Sequence, residues 1–444
     1  MSTPGKPAGG PAVRLRLPAH GSGDPEPTRS GGAGRGTRRR SPLPALALGA
    51  FAVGTDSLII SGLLDRVAAD LAVSPASAGQ LISVFALLYA VGAPVLATLT
   101  SRGDRKRLLL VALAILVLAN VLGALAPDYR VLMASRVLAA VGSALYLPCA
   151  LAVAVAVAPV HRRGRAIALV AGGLSAATAL GVPLGTLVGA VGDWRLTLVL
   201  VAVLAALATT VLALVMPRVE TPAVVTVRQR LAAAAQPGVL VALLSYLLVM
   251  AGEFTIFIFV APVAMEITGV GTAGVGVFLL VWGVAAVLGS AVGGRAADAF
   301  GGTRAYAILV AVLCAGLVAL TLLALFTPRD SRVAVGLLAV LLAIISMSAW
   351  GVSPAQNHRI ASLDLPEPTV AMSLNGSFSY LGLSLGGVAG GLAMEHGSVV
   401  ALALTGVGAE VLALALLAGS VVLLRPARRG WAARDRRIGP TGGR

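Results

Sequence analysis

The chain has 444 residues, of which 58% are hydrophobic and only 12% charged, with a mean hydropathy of +0.93. Soluble domains carry about a quarter charged residues, so these side chains cannot clothe a water-facing surface, and the solvent of most of the chain is lipid. The formal charge of +16 does not point to nucleic acid: of 34 basic residues, eight fall in residues 1–42 and seven in 425–444, and most others stand in short clusters between apolar runs, as membrane-edge charges facing anionic lipid headgroups do.

Residues 1–42 are rich in Gly, Pro, Ser and Arg and read as a disordered cytoplasmic tail; the apolar run that follows is long enough to stay as a span rather than be cleaved as a signal. A bilayer core takes about 20 apolar residues per helix. Apolar runs against polar or Pro/Gly breaks predict twelve spans: 43–64, 78–100, 108–126, 131–158, 166–190, 196–216, 239–262, 273–293, 305–326, 333–353, 370–392 and 398–424. The sizeable internal break is 217–238, with Arg218, Arg228 and Arg230. It divides an N-terminal six-helix bundle, 43–216, from a C-terminal one, 239–424, and 425–444 forms a second cytoplasmic tail. With both ends inside, the cytoplasmic segments hold 28 Lys and Arg, against five outside: Arg66, Arg130, Arg195, Arg329 and Arg332. That asymmetry predicts both termini on the cytoplasmic face of the inner membrane.

The halves repeat. A shift of 197 residues sets Asp56 on Glu253, Gly79 on Gly276, Gly92 on Gly289, Arg107 on Arg304, Gly185 on Gly382 and Gly189 on Gly386. An acid on an acid is the informative match, because the chain has only 18 acids. Two related six-helix halves are the parallel repeat of a rocking transporter, with its site at mid-membrane between them.

Four charges fall well inside predicted spans: Asp56, Arg136, Glu253 and Glu410. Each costs about 2.5–3.5 kcal/mol on insertion scales, so each is expected to face a cavity or a partner. Asp56 and Glu253 hold equivalent places in the first helix of each half and suit proton exchange; Arg136 stays charged and is expected to bias a nearby carboxylate or bind an anion. Glu410 has no repeat partner. Gly181, Gly185 and Gly189, and again Gly382, Gly386 and Gly390, recur every four residues and line one helix face, where backbones approach closely. Pro183 lacks an amide proton and kinks its helix. Aromatics are scarce, at 4%; Phe85, Tyr89, Tyr146, Phe254, Phe257, Trp282, Trp350 and Tyr380 are candidates to line a cavity, with Asn375 as a polar handle. The histidines, His20, His161, His358 and His396, lie outside the predicted spans, and no catalytic triad or metal constellation is readable. Cys149 and Cys314 sit in apolar runs without zinc or disulfide spacing. The stretches from Gly103 to Arg107 and Gly294 to Arg304 read as short basic loops and form no phosphate cradle, since no GxxxxGK[ST] sequence exists. Neither an enzyme nor a cofactor is expected.

Four stretches resemble the major facilitator superfamily, and within it bacterial drug:proton antiporters of the arabinose/chloramphenicol efflux type. They are Gly54-Thr55-Asp56-Ser57-Leu58 with Ala68-Ala69-Asp70-Leu71; Arg136-Val137-Leu138; Leu180-Gly181-Val182-Pro183-Leu184-Gly185 ending in Gly192-Asp193-Trp194-Arg195; and Gly294-Arg295-Ala296-Ala297-Asp298-Ala299-Phe300-Gly301. The likeness covers about 43–424. It implies an all-α fold of twelve transmembrane helices in two pseudo-symmetric bundles, and proton-coupled export of a small hydrophobic compound by a monomer. It also implies a proton-coupling role for Arg136 and a cytoplasmic gate built from Arg102, Asp104, Arg105, Arg295, Asp298 and Arg304. The chain departs from the family in its first gate, where Ser101 holds the acid position and Asp104 the second glycine, and in its first helix, where relatives place the acid at the position of Ser57. Proton-coupled uptake, or transport of a sugar or other metabolite, is the alternative from the same fold. A non-transporting sensor or membrane-embedded enzyme is the alternative from another class.

Overall fold

The computed structural model describes residues 41–159, 162–217, 234–326, 332–363 and 368–435, with residues 228 and 232. The first tail up to residue 40, most of the 217–238 linker and residues 436–444 lie outside the described residues. Among the described residues there is no strand, and twelve helices are long and apolar enough to cross a membrane. These are span 1 (Leu43–Gly62), span 2 (Pro75–Leu99), span 3 (Arg105–Ala124), span 4 (Tyr129–Val157), span 5 (Arg163–Val191) and span 6 (Arg195–Val215). Span 7 (Pro237–Ile258), span 8 (Gly274–Phe300), span 9 (Gly302–Phe326), span 10 (Val333–Ala361), span 11 (Leu374–His396) and span 12 (Val399–Ser420) follow.

Local chemistry fixes the helix starts. Ser74 accepts from Ser77 N at 3.1 Å ahead of Pro75, the first helical residue of span 2. Asp104 accepts from Lys106 N and Arg107 N at 2.9 and 3.2 Å to open span 3, and Asp128 accepts from Val131 N at 3.0 Å to open span 4. Each satisfies amide donors that the first helical turn leaves unpaired. Leucines and valines such as Leu214, which is 81% exposed, face outward, where lipid takes the place of water.

Three predicted boundaries require correction. The apolar runs predict ends at 293 for span 8 and 353 for span 10, yet their helices run to Phe300 and Ala361. Polar residues alone do not end a helix once its backbone bonds are intact. The supposed basic loop from Gly294 to Arg304 is therefore mostly helix, broken at Gly301, whose φ of 82° suits glycine alone. For the same reason His358 and His396, expected outside the spans, lie in the last turns of their helices. The final helix continues to Asp435, past the expected end at 424.

The packing repeats with a period of six helices. Span 1 packs on spans 5 and 6, span 2 on span 4, and span 3 on spans 4 and 6. Correspondingly, span 7 packs on spans 11 and 12, span 8 on span 10, and span 9 on spans 10 and 12. Across the halves, span 2 lies against span 11 and span 5 against span 8. The glycine rows seat each fifth helix on the first helix of its own half. Gly181 lies against Thr55, Gly185 against Ile59 and Gly189 against Leu63, while Gly382 and Gly386 lie on the backbone of Leu247, Ala251 and Thr255. Span 5 also contains a π-helical turn, Ala177–Gly181, in which Val182 N bonds to Ala177 O. Pro183, two residues beyond that turn, has no amide proton for Ala179 O and its ring crowds that carbonyl, and one extra residue in the preceding turn relieves the crowding.

Candidate functional site

The helices of both halves enclose a cavity of about 320 Å³, within the range of small-molecule sites, bordered by residues of spans 1, 2, 4, 5, 7, 10 and 11. Of the sequence-based candidates, Glu253, Tyr89, Phe254, Asn375 and Tyr380 line it, as does Trp350. Phe85, Tyr146, Phe257 and Trp282 do not: they are buried behind the wall. Phe85 lies under a guanidinium, Tyr146 donates to Leu46 O at 3.0 Å beside Gly49, and Phe257 packs on Trp282 with ring centres 5.2 Å apart. Tyr89 and Tyr380 stack across the halves with centroids 3.9 Å apart.

Asp56 and Glu253, equivalent by repeat, stand in different surroundings. Asp56 is fully buried and is not part of the cavity lining. Its Oδ1 accepts from Arg136 Nη1 at 3.0 Å and its Oδ2 from Nη2 at 3.3 Å, and Nη2 also donates to the Asp56 carbonyl at 2.8 Å. The guanidinium sits 4.8 Å over the Phe85 ring, a contact that favours a cation on a π-face. A buried pair of this kind leaves either partner stranded if the other is lost. Glu253 lines the cavity with no ion pair among the described residues, and its Oε1 has no hydrogen-bond partner there. Trp350 Nε1, also unpartnered, faces this carboxyl. Among the described residues the cavity lining has no Lys, Arg or His, so their formal charge is zero or negative.

Ser57, the position where relatives carry the first-helix acid, is part of the wall, and residues that the sequence did not single out complete it: Thr178, Tyr246, Ser353, Asn357 and Ser379. Asn375 Nδ2 donates to Asn357 Oδ1 at 2.7 Å and ties span 11 to span 10. The signal was helical spacing. Tyr246, Met250 and Glu253 follow one face of span 7, and Ser353 with Asn357 and Asn375 with Ser379 are i,i+4 pairs.

The halves meet from the middle of the bundle toward the end carrying the 63–74 connection. There Gly79 lies against Phe259, Gly387 against Ser83, and a Cβ on Gly391 would come within 3.5 Å of Ala76. At the opposite end lie the residues that the resemblance assigns to a gate. Arg102, Asp104, Arg295, Asp298 and Arg304 are exposed, and among the described residues no ion pair joins the two gate stretches. Asp104 is used as a helix cap, and Arg105 is buried with Nη2 donating to Ser101 O at 3.1 Å. Arg359, counted with the cytoplasmic charges, is buried in the last turns of span 10, 5.3 Å over the Tyr306 ring and bonded to Ser420 Oγ at 3.1 Å.

The Gly192-Asp193-Trp194-Arg195 stretch forms a latch at the first-loop end. Arg195 pairs with Asp70 at 2.7 Å, donates to Ala126 O at 3.0 Å and lies 4.4 Å over the Trp194 ring, while Trp194 Nε1 donates to Asp70 at 3.1 Å. The hydrogen bonds from Arg195 and then Trp194 hold the Asp70 carboxyl below the usual carboxylate range. Arg66 covers the end of span 5, donating to Gly189 O at 2.5 Å and Ala190 O at 2.9 Å, carbonyls that a helix terminus leaves free.

The family model described as "Major Facilitator Superfamily" matches residues 46–387. The chain is 34% identical over 364 residues to the inner membrane transport protein YdhP of Escherichia coli (strain K12), covering 80% of this chain and 89% of that protein. It is 34% identical over 355 residues to a chloramphenicol resistance protein of Streptomyces lividans, covering 79% and 87%. Among solved structures, a bacterial homologue of the human lysosomal transporter Spinster, inward-facing and unoccupied, superposes with a TM-score of 0.66 at 18% identity, over 87% of this chain and 96% of that one.

Proposed function

Because the chain belongs to the Major Facilitator Superfamily, we propose that it exports a small hydrophobic compound in exchange for protons, by alternating access around the cavity of Glu253. The observation that carries this reading is a lone carboxyl, without ion pair, on the wall of an otherwise uncharged aromatic and amide-lined cavity. A carboxyl that exchanges its proton with the cavity changes the cavity's charge by one. The same volume then favours a neutral or cationic compound in one state and release in the other. An anionic cargo is disfavoured, since the wall offers it no cation.

Asp56 and Arg136 act beside this site rather than in it. Their pair fixes span 1 to span 4 and sets the field at the cavity's edge. The gate supports alternating access. The contacts between the halves toward the first-loop end, with the gate residues unpaired among the described residues, support an opening on the gate side, and the distribution of Lys and Arg supports a cytoplasmic position for that side and for both termini. Asp298 then closes against Arg102 in the opposite state. Similarity to a chloramphenicol resistance protein supports efflux over uptake and makes chloramphenicol the first compound to try. The test is a susceptibility profile in an efflux-deficient host expressing the wild type or Glu253→Gln. Export predicts raised tolerance to at least one neutral or cationic aromatic compound, lost in the variant; equal tolerance in both strains would reject it.

A further inference from the structure

Glu410 is the intramembrane charge that the cavity leaves unexplained. It stands on span 12, has no exposed surface, and neither carboxyl oxygen has a hydrogen-bond partner. Spans 7 and 12 cross here on two glycines. A Cβ on Gly406 would come within 3.2 Å of Gly252 O, and a Cβ on Gly252 would strike Glu410 Oε1. The carboxyl thus fills the space of the side chain missing from the residue next to Glu253. The titratable groups that face it are Glu253 from span 7 and Tyr306 and Cys314 from span 9; span 11 brings none among the described residues. Among the described residues no cation reaches it. The guanidinium of Arg359 lies on the Tyr306 ring and on Ser420, while the Tyr306 hydroxyl is engaged 2.8 Å from Ser245 Oγ.

We propose that Glu410 is a second proton-binding site, separate from the cavity and linked to Glu253 through the Gly252 backbone. An ionised carboxylate in dry surroundings, with neither cation nor donor, costs several kcal/mol, so this packing holds the neutral acid. Its proton leaves only when spans 7 and 12 separate enough to admit water or a donor. Ionisation of Glu253 on the adjacent residue opposes ionisation of Glu410, because like charges in a poorly screened interior repel. The two acids therefore titrate as a pair. The packing of span 12 on span 7 then depends on the proton held behind the cavity as well as the one in it. The Glu410 site follows from the packing alone and does not rest on the transport reading.

The test is pH-difference infrared spectroscopy of the full-length protein in lipid nanodiscs, comparing wild type, Glu410→Gln and Glu253→Gln. A buried acid without hydrogen bonds absorbs at the high-frequency edge of the carboxylic C=O region. The expected result is a band there in the wild type that disappears in Glu410→Gln. In Glu253→Gln it persists but is lost at lower pH, because the opposing charge is gone. Absence of the band in the wild type, its survival in Glu410→Gln, or an unmoved midpoint in Glu253→Gln would each overturn the proposal. Should Glu410→Gln fail to fold, Gly252→Ala places a methyl against Oε1 and must shift the band; an unshifted band overturns the proposal equally. No transported compound is needed, so failure here and failure of the export reading are distinguishable.

Discussion

Replacing Asp56 with Asn keeps its size and removes its charge, leaving the buried Arg136 guanidinium without its counter-ion. Breaking a buried pair by removing one partner costs about 3–5 kcal/mol. Two contacts survive the change, the 2.8 Å bond from Arg136 to the Asp56 carbonyl and the stacking over Phe85, so the loss is expected at the low end of that range, about 3 kcal/mol. Arg136→Leu strands the carboxylate instead and forfeits both surviving contacts, and it is expected at the high end, about 5 kcal/mol. The double variant leaves neither charge stranded, and its loss is expected to be at least about 2 kcal/mol smaller than the sum of the single losses. The assay is equilibrium unfolding in mixed micelles for the four proteins at pH 7. Strict additivity would show that the two side chains do not act as a pair in the membrane-embedded fold, and the reasoning from their geometry would fail.

In a gate of unequal halves, Asp298→Asn is expected to impair transport severely and Ser101→Ala only mildly, since the first gate already lacks its acid; equal losses in a vesicle transport assay would count against it. Gly386→Ala, whose Cβ would lie within 3.0 Å of Thr255 N, is expected to lower thermal stability, whereas Gly294→Ala, with nothing within 4 Å, is neutral. The Asp70 latch has a defined acid dependence. A carboxyl whose folded value is depressed adds stability above its unfolded value, near 3.8, and loses it as pH falls through the folded value; the wild type and Asp70→Asn should therefore converge in thermal stability in strong acid and differ near neutrality. Cysteine labelling of intact cells is expected to reach positions in 65–77 and not those in 219–236, and the reverse pattern would invert the topology.

The twelve helices and their division were legible because lipid demands long apolar runs, and because Asp56/Glu253 and Gly185/Gly382 betray a repeat. The glycine rows were legible for the same reason, as a four-residue period can only mark one helix face. The ends of spans 8 and 10 were not legible. Residues such as Arg295, Asp298 and Asn357 look like loop by composition, but helices extend beyond the hydrocarbon once their backbone bonds are made. The difference between Asp56 and Glu253 was invisible as well. One residue turns a helix by about 100°, and only packing decides that Asp56 meets Arg136 while Glu253 meets the cavity. The aromatics divided along the same line. Tyr89 and Phe254 face inward and Phe85 and Phe257 do not, although each pair lies within one turn of a single helix.

The central claim is that the Glu253 carboxyl exchanges the proton that drives export. Its most direct test is proton release in proteoliposomes on addition of a compound identified by susceptibility profiling, measured alongside accumulation under an imposed pH gradient. The wild type is expected to release protons on binding and to accumulate the compound uphill, and Glu253→Gln to bind it while doing neither. Undiminished uphill accumulation with normal proton release in Glu253→Gln would contradict the account and move the coupling site to Asp56.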